Sequence, residues 1–294
     1  MEAFAHDVYT YPLPEGHKFP LAKYRRVREE VERSSAISVF PSRAASDLEI
    51  SLAHEDGYVA RVEAGELVRR EELALGLPWS PELVERARRS VGATIMATTS
   101  ALHNGTAANL GGGTHHAFPD SGRGFCVYND VVVAVRAARR MHQLERALIV
   151  DLDVHQGDGT HFAFADDDAT FTFSINGFGN YPFQRVDADL ELDLPNGTGD
   201  ERYLAELSRL LPIAVSRSRP DACFYLAGAD PFEHDRLGRL ALTKQGLARR
   251  DELVRDELER AGIPTILTLA GGYAERIEDT VEINLASLHA FTPD

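Results

Sequence analysis

Cysteine is almost missing from this chain, with two in 294 residues. Cys126 and Cys223 sit among apolar neighbours, with no CxxC spacing and no nucleophile signature. That excludes a disulfide scaffold and leaves two reduced, structural thiols. Long apolar runs are missing as well. No stretch is long enough to cross a bilayer, and Met1-Glu2-Ala3-Phe4-Ala5-His6-Asp7 lacks the basic and apolar regions of a secretion signal. A soluble cytoplasmic protein with no membrane contact is the expectation. Positive charge is scarce: 31 basic residues face 46 acidic ones, for a net charge of -15. This balance argues against direct nucleic-acid binding, which needs a basic stripe to release counterions. Arg25-Arg26 and Arg88-Arg89 lie in mixed-charge, helical stretches, where a solvated face is the simpler reading. An acidic surface suits neutral or cationic substrates, although colloidal solubility alone accounts for it. Internal repeats, low-complexity tracts and linkers are absent too, so residues 1–294 read as one large domain.

What is there is an alternation of short apolar runs with amphipathic segments, the pattern of strands that cross over through helices to a mainly parallel sheet. Ile37 to Phe40, Ala147 to Val150, Thr170 to Ser174, Ala222 to Leu226 and Thr265 to Leu269 are the expected core strands. Ser80-Pro81-Glu82 supplies a cap, a first-turn proline and an acid for a helix running to about Leu102. Further helices are expected over Asp130 to Leu144, Glu201 to Ser216, Lys244 to Ala261 and Glu275 to Ala290, with Gly262 and Pro264 stopping the fourth of these. Two long loops, Asn109 to Asn129 and Asn176 to Gly199, collect glycine, aromatic and polar residues. Loops of that length in a compact domain are usually functional or disordered.

The most informative stretch is Asp151-Leu152-Asp153-Val154-His155-Gln156-Gly157-Asp158-Gly159, directly after an apolar strand. Alternate residues on a strand face the same side, so Asp151, Asp153 and His155 emerge together at its carboxyl end, where open α/β sheets bind ligands. Such a cluster is costly without a cation or a shared proton. Three other segments concentrate polar chemistry: Gly111 to His116, Gly228-Ala229-Asp230-Pro231 and Ala270-Gly271-Gly272-Tyr273. Each alone has a plain structural reading, as a loop histidine pair, a turn cap or a rim aromatic. Together they supply ligands, spare imidazoles, orienting carboxylates and a phenol, which suits metal-assisted hydrolysis.

In order and spacing, His115-His116, Gly124-Phe125-Cys126 with Asn129-Asp130, Asp151 to His155 with Gly157-Asp158-Gly159, Ala227 to Asp230 and Gly271-Gly272-Tyr273 resemble the zinc-dependent histone deacetylase superfamily. Gly197 to Asp200, Asp235 to Gly238 and Arg250 to Leu253 resemble its class IV branch and bacterial relatives. The resemblance implies the arginase/deacetylase α/β fold. It makes Asp153, His155 and Asp230 the metal ligands, with zinc as the expected ion. Imidazole plus carboxylates would also accept iron(II) or cobalt(II). It makes His115 and His116 tandem catalytic histidines, backed by Asp151 and Asp158, and Tyr273 the donor to a developing oxyanion. It further implies a monovalent cation, potassium, held by Asp151, Ser174 and backbone carbonyls that include Ile175; a plain strand end is the competing reading of Ser174. Gly124, Phe125 and Tyr181 become walls of an acyl-lysine channel.

Departures from the family pattern bear on substrate. Asn176 to Phe183 does not follow the Phe-Phe-Pro pattern of class I enzymes, and no counterpart of the class I acidic rim residue is visible. The class IV likeness allows acyl groups longer than acetyl. The leading expectation is a metal-dependent amidohydrolase, a deacetylase or deacylase, that acts on acyl-lysine side chains of proteins or on a small acylated amine. Acetylated polyamines or another small amide are the first alternative. A two-manganese ureohydrolase would need more bridging aspartates, and an idle binding module would not need every catalytic position filled.

Overall fold

Every ladder in the eight-stranded sheet is parallel. The computed structural model describes residues 1–292, so the last two residues of the expected 1–294 span lie outside the described residues. The chain opens with β1 (Glu2–Ala5), α1 (Ala22–Glu32) and β2 (Ser38–Pro41), then three short helices, α2 (Asp47–Ile50), α3 (Asp56–Ala64) and α4 (Arg69–Leu75). The long helix α5 (Pro81–Asn104) leads into β3 (Thr106–Asn109), α6 (Asp130–Arg140) and β4 (Ala147–Asp151). After α7 (Asp158–Phe164) come β5 (Thr170–Gly177), β6 (Leu190–Leu194), α8 (Asp200–Ser218) and β7 (Ala222–Leu226). The chain continues through α9 (Lys244–Ala261), β8 (Thr265–Thr268) and α10 (Ile277–Ala290).

Local chemistry explains the main boundaries. Ser80 accepts a hydrogen bond from the Leu83 amide at 3.1 Å and Pro81 occupies the first turn of α5, while Gly262 closes α9 at φ 67°. Strands β4 and β7 are buried at every position, as their unbroken apolar runs require in a sheet covered on both faces. The expected helix over Asp130 to Leu144 stops at Arg140, because the chain turns at His142, which takes φ 55°. α10 starts at Ile277 instead of Glu275, because the Glu275 amide donates to the His234 carbonyl and Ala274 bridges Asp235. The Asn176 to Gly199 segment is not structureless: Leu190-Glu191-Leu192-Asp193-Leu194 alternates along the edge strand β6.

The strand order β2-β1-β3-β8-β7-β4-β5-β6 does the functional placing. Four consecutive strands in that order, β3, β8, β7 and β4, deliver their carboxyl-end loops to one edge. Those loops carry His115-His116, Tyr273, Asp230 and the Asp153/His155 pair. Segments up to about 160 residues apart in sequence become neighbours because the crossovers skip strands. Among the described residues, no helix is long and apolar enough to cross a membrane.

Candidate active site

Asp153, His155 and Asp230 present one ligand atom each within 4.8 Å of one another, and all three are buried. His155 Nδ1 lies 2.9 Å from Asp153 Oδ1 and 3.2 Å from Asp230 Oδ2. The remaining carboxylate oxygens are used to fix the arrangement. The Gly271 amide donates to Asp153 Oδ2 at 2.8 Å, and the Val154 amide donates to Asp230 Oδ1 at 2.9 Å. A Cβ at Gly271 would fall 1.9 Å from Asp230 Oδ2, so only glycine lets this backbone close over the two acids.

The electrostatics show a site short of positive charge. Burial and the charge of Asp153 push the Asp230 carboxyl above its ordinary range, since two carboxylates this close resist ionising together. Burial opposes a charged His155 ring, but the two acids outweigh it and hold its pKa up to about 10. A proton on Nδ1 thus stands where a cation would sit. Asp230 Oδ2 has no hydrogen-bond partner among the described residues. One imidazole and two carboxylates, one of them with an orphaned oxygen, converge on one point and fit a divalent ion with positions left open for water and substrate.

His115 and His116 follow β3 on a glycine-lined turn and have separate carboxylate partners. His115 Nδ1 is 2.7 Å from Asp151 Oδ2, His116 Nδ1 is 2.6 Å from Asp158 Oδ1, and the two Nε2 atoms are 3.1 Å apart. Their environments push them in opposite directions. Burial favours a neutral His115, yet Asp151 and Asp153 overcome it and raise its pKa to about 9. Burial and the charge on His115 lower His116 to about 4, against the pull of Asp158. Neighbouring groups with separated pKa values are the arrangement that acid–base chemistry needs.

Tyr273 stands across the cluster, its ring 6.3 Å from that of His155. Burial and the charges of Asp230 and Asp153 raise its hydroxyl well above the ordinary phenol value, so it is a donor at neutral pH. Phe125 packs 5.9 Å from Tyr273 and takes φ 69°, a left-handed conformation secured by its amide bond to the Leu75 carbonyl at 2.8 Å. Gly124 (φ 51°) lies flat on His116, where a Cβ would sit 2.6 Å from the ring, and Tyr181 meets the same ring edge-on at 4.9 Å. Gly124 and Phe125 line the cavity that holds the two histidines, whereas Tyr181 touches the His116 ring without lining that cavity. Ser174 is the register partner of Asp151 on β5, with Ile175 next to it; the Ser174 hydroxyl accepts from Asn176 Nδ2 at 3.2 Å.

Several further residues hold this site, and two of them, Arg250 and Asp235, lie in the segments that resemble the class IV branch. Arg250 on α9 is fully buried and donates to the carbonyls of Gly228 at 2.6 Å and Leu152 at 3.3 Å, tying the two ligand loops together. Lys23 on α1 is buried and donates to the carbonyls of Ala270 and Gly272, which fixes the Tyr273 loop. Asp235 accepts from the Tyr273 amide at 2.6 Å. Phe19 completes the aromatic wall 5.0 Å from Phe125. The buried His54 ring bridges the Phe118 carbonyl and the Asn129 amide, at the two ends of the segment that follows the histidine pair. Their common signal is burial, which long-range packing decides and local pattern does not.

Comparison with known proteins agrees with this geometry. The histone deacetylase domain matches residues 17–288. The chain belongs to the histone deacetylase family. An uncharacterized protein of Picosynechococcus is 42% identical over 94% of this chain and 93% of its own length. Histone deacetylase 2 of Arabidopsis thaliana is 28% identical, covering 95% of this chain and 76% of the plant protein. The crystal structure of a histone deacetylase homologue complexed with SAHA superposes with a TM-score of 0.84 at 22% identity, over 98% of this chain and 83% of that one. The arginase/deacetylase fold is thereby shown, and a deacetylase-type hydrolase is the activity class of the family.

Proposed function

We propose that the protein hydrolyses the acyl amide of acyl-lysine side chains, or of a small acylated amine, with a divalent ion held by Asp153, His155 and Asp230. The observation that carries this reading is geometric: two neighbouring imidazoles, each paired at Nδ1 with its own buried carboxylate, stand beside three converging ligand atoms. When bound, the ion supplies Lewis-acid polarisation of the acyl carbonyl and lowers the pKa of water. Zinc is our assignment, with iron(II) as the competing ion for this donor set.

The chain's own residues divide the remaining work. His116, its Nδ1 tied to Asp158, accepts a proton from the attacking water at Nε2. His115, tied to Asp151 at Nδ1, faces the negative charge that builds up as the carbonyl is attacked and helps to hold it. Tyr273 donates its hydroxyl to that oxyanion from the opposite side. As the C–N bond breaks, the histidine pair returns the proton to the leaving amine, which departs neutral or as ammonium according to the medium. Gly124, Phe125 and Tyr181 enclose the methylene stem, where small size and aromatic faces admit an unbranched chain. Asp151 and Ser174, side by side on β4 and β5 with the Ile175 carbonyl, are our assignment for a potassium ion that would bias His115 electrostatically. The class IV likeness leads us to expect that acyl groups beyond acetyl are accepted.

The test is hydrolysis of lysine peptides bearing acyl groups from acetyl to myristoyl by metal-loaded protein, with and without chelator. Chelator-sensitive turnover supports the reading. Absence of turnover on these peptides and on acylated polyamines would refute it.

A further inference from the structure

Arg86 is a buried cation with no anionic partner among the described residues. It lies on α5, is 3% exposed, and its Nε has no hydrogen-bond partner among the described residues. Its neighbours are aromatic: the guanidinium carbon is 5.3 Å from the Phe19 ring centre and 5.0 Å from that of Tyr24. The Tyr11 hydroxyl, also buried without a partner, feels the charge of Arg86. Arg86 lines the same cavity as His115, His116, Asp153, His155 and Tyr273. The backbone of Gly111 to Gly113 lines the same cavity, and a Cβ on Gly113 would stop 2.7 Å from Ala270. Removing a guanidinium from water is costly unless it is paired, and cation–π contact offsets only part of that cost.

We propose that Arg86 makes the inner end of the acyl pocket a carboxylate-binding subsite, so that the enzyme takes short acyl groups ending in a carboxylate, the half-amides of dicarboxylic acids. This rests on the acyl-amide hydrolase reading above. The guanidinium presents paired donors suited to both oxygens of a carboxylate, and the Phe19 and Tyr24 faces keep it desolvated and oriented. An uncharged acyl chain of equal length would leave the cation as it is now, buried and unpaired. The carboxylate released from any acyl group shares the same chemistry, and the experiment separates the two sources.

The experiment compares kcat/KM for acetyl-, butyryl-, succinyl- and glutaryl-lysine peptides on the full-length, metal-loaded protein and its Arg86→Met and Arg86→Lys variants. In parallel, calorimetry measures binding of N-butylsuccinamic acid and N-butylbutyramide, which mimic the charged and uncharged side chains. A charge-assisted pair predicts that the charged-to-uncharged preference falls by about tenfold or more in Arg86→Met, with Arg86→Lys between the two. Selective binding of the charged mimic by the wild type, with no peptide hydrolysed, would uphold the subsite and sink the hydrolase reading. A preference that is the same in wild type and Arg86→Met overturns the proposal. So does wild-type discrimination against the charged chains, a result that holds even if Arg86→Met does not fold. Weakened acetate inhibition in the variants with no change in acyl preference would assign Arg86 to the released product instead, and also overturns it.

Discussion

Replacing Arg250 with methionine keeps most of the side-chain volume and removes the charge and the donors that join the two ligand loops. Asp251, which accepts from Arg250 Nε at 2.8 Å as well as from Tyr225 and Ser287, would then be a buried carboxylate without its cation. Breaking a buried pair by removing one partner costs about 3–5 kcal/mol. Unfolding a chain of 294 residues releases roughly 0.6 kcal/mol/K of entropy, so a cost near 4 kcal/mol lowers Tm by about 6 °C. The double variant Arg250→Met with Asp251→Leu removes both charges and should regain about half of that loss, while leaving the Gly228 and Leu152 carbonyls unpaired. Gly228 lies two residues before Asp230 and Leu152 lies one before Asp153, so metal affinity should fall about tenfold or more in both variants. Calorimetric melting and metal titration read the two effects separately. A single variant that melts within about 2 °C of wild type and binds metal unchanged would refute the strut.

Two further predictions use other parts of the site. His54 is held neutral by burial, its pKa lowered from 6.5 to about 4. The unfolded chain therefore takes up its proton first, so the stabilisation is full above pH 6.5 and is lost as pH falls towards 4, by about 3 kcal/mol in all. Urea midpoints measured from pH 7 to 4 should fall more steeply for wild type than for His54→Gln; equal slopes would contradict the assignment. Tyr273→Phe should lower kcat by about a hundredfold or more while a chelating hydroxamate still binds within about tenfold of wild type. Unchanged kcat would remove the oxyanion role.

Much of the fold was legible because its signals are local. The runs at Ala147 to Asp151 and Ala222 to Leu226 are apolar enough to demand a doubly covered strand, and Ser80-Pro81 and Gly262 mark helix ends by chemistry that acts within one turn. β1, β3 and β6 went unseen for the opposite reason. Thr106-Ala107-Ala108-Asn109 has no strand propensity to speak of and is a strand because β1 and β8 flank it. In the site, Asp153 and His155 were readable from their alternate spacing after β4, whereas Asp230 joins them only through the strand order. Lys23 and Arg86 look like surface charges of amphipathic helices in sequence, and Arg250 is marked only by the resemblance of its segment, which does not say what it touches. Burial alone changes their meaning, and no window of sequence encodes it.

The most direct test of the central claim is to count divalent ions per chain in wild type and in Asp230→Ala, together with hydrolysis of an acyl-lysine peptide by each. The account predicts one tightly held ion and chelator-sensitive turnover in wild type, and loss of both when the carboxylate that now has an orphaned oxygen is removed. Full metal occupancy and undiminished turnover in Asp230→Ala would contradict it.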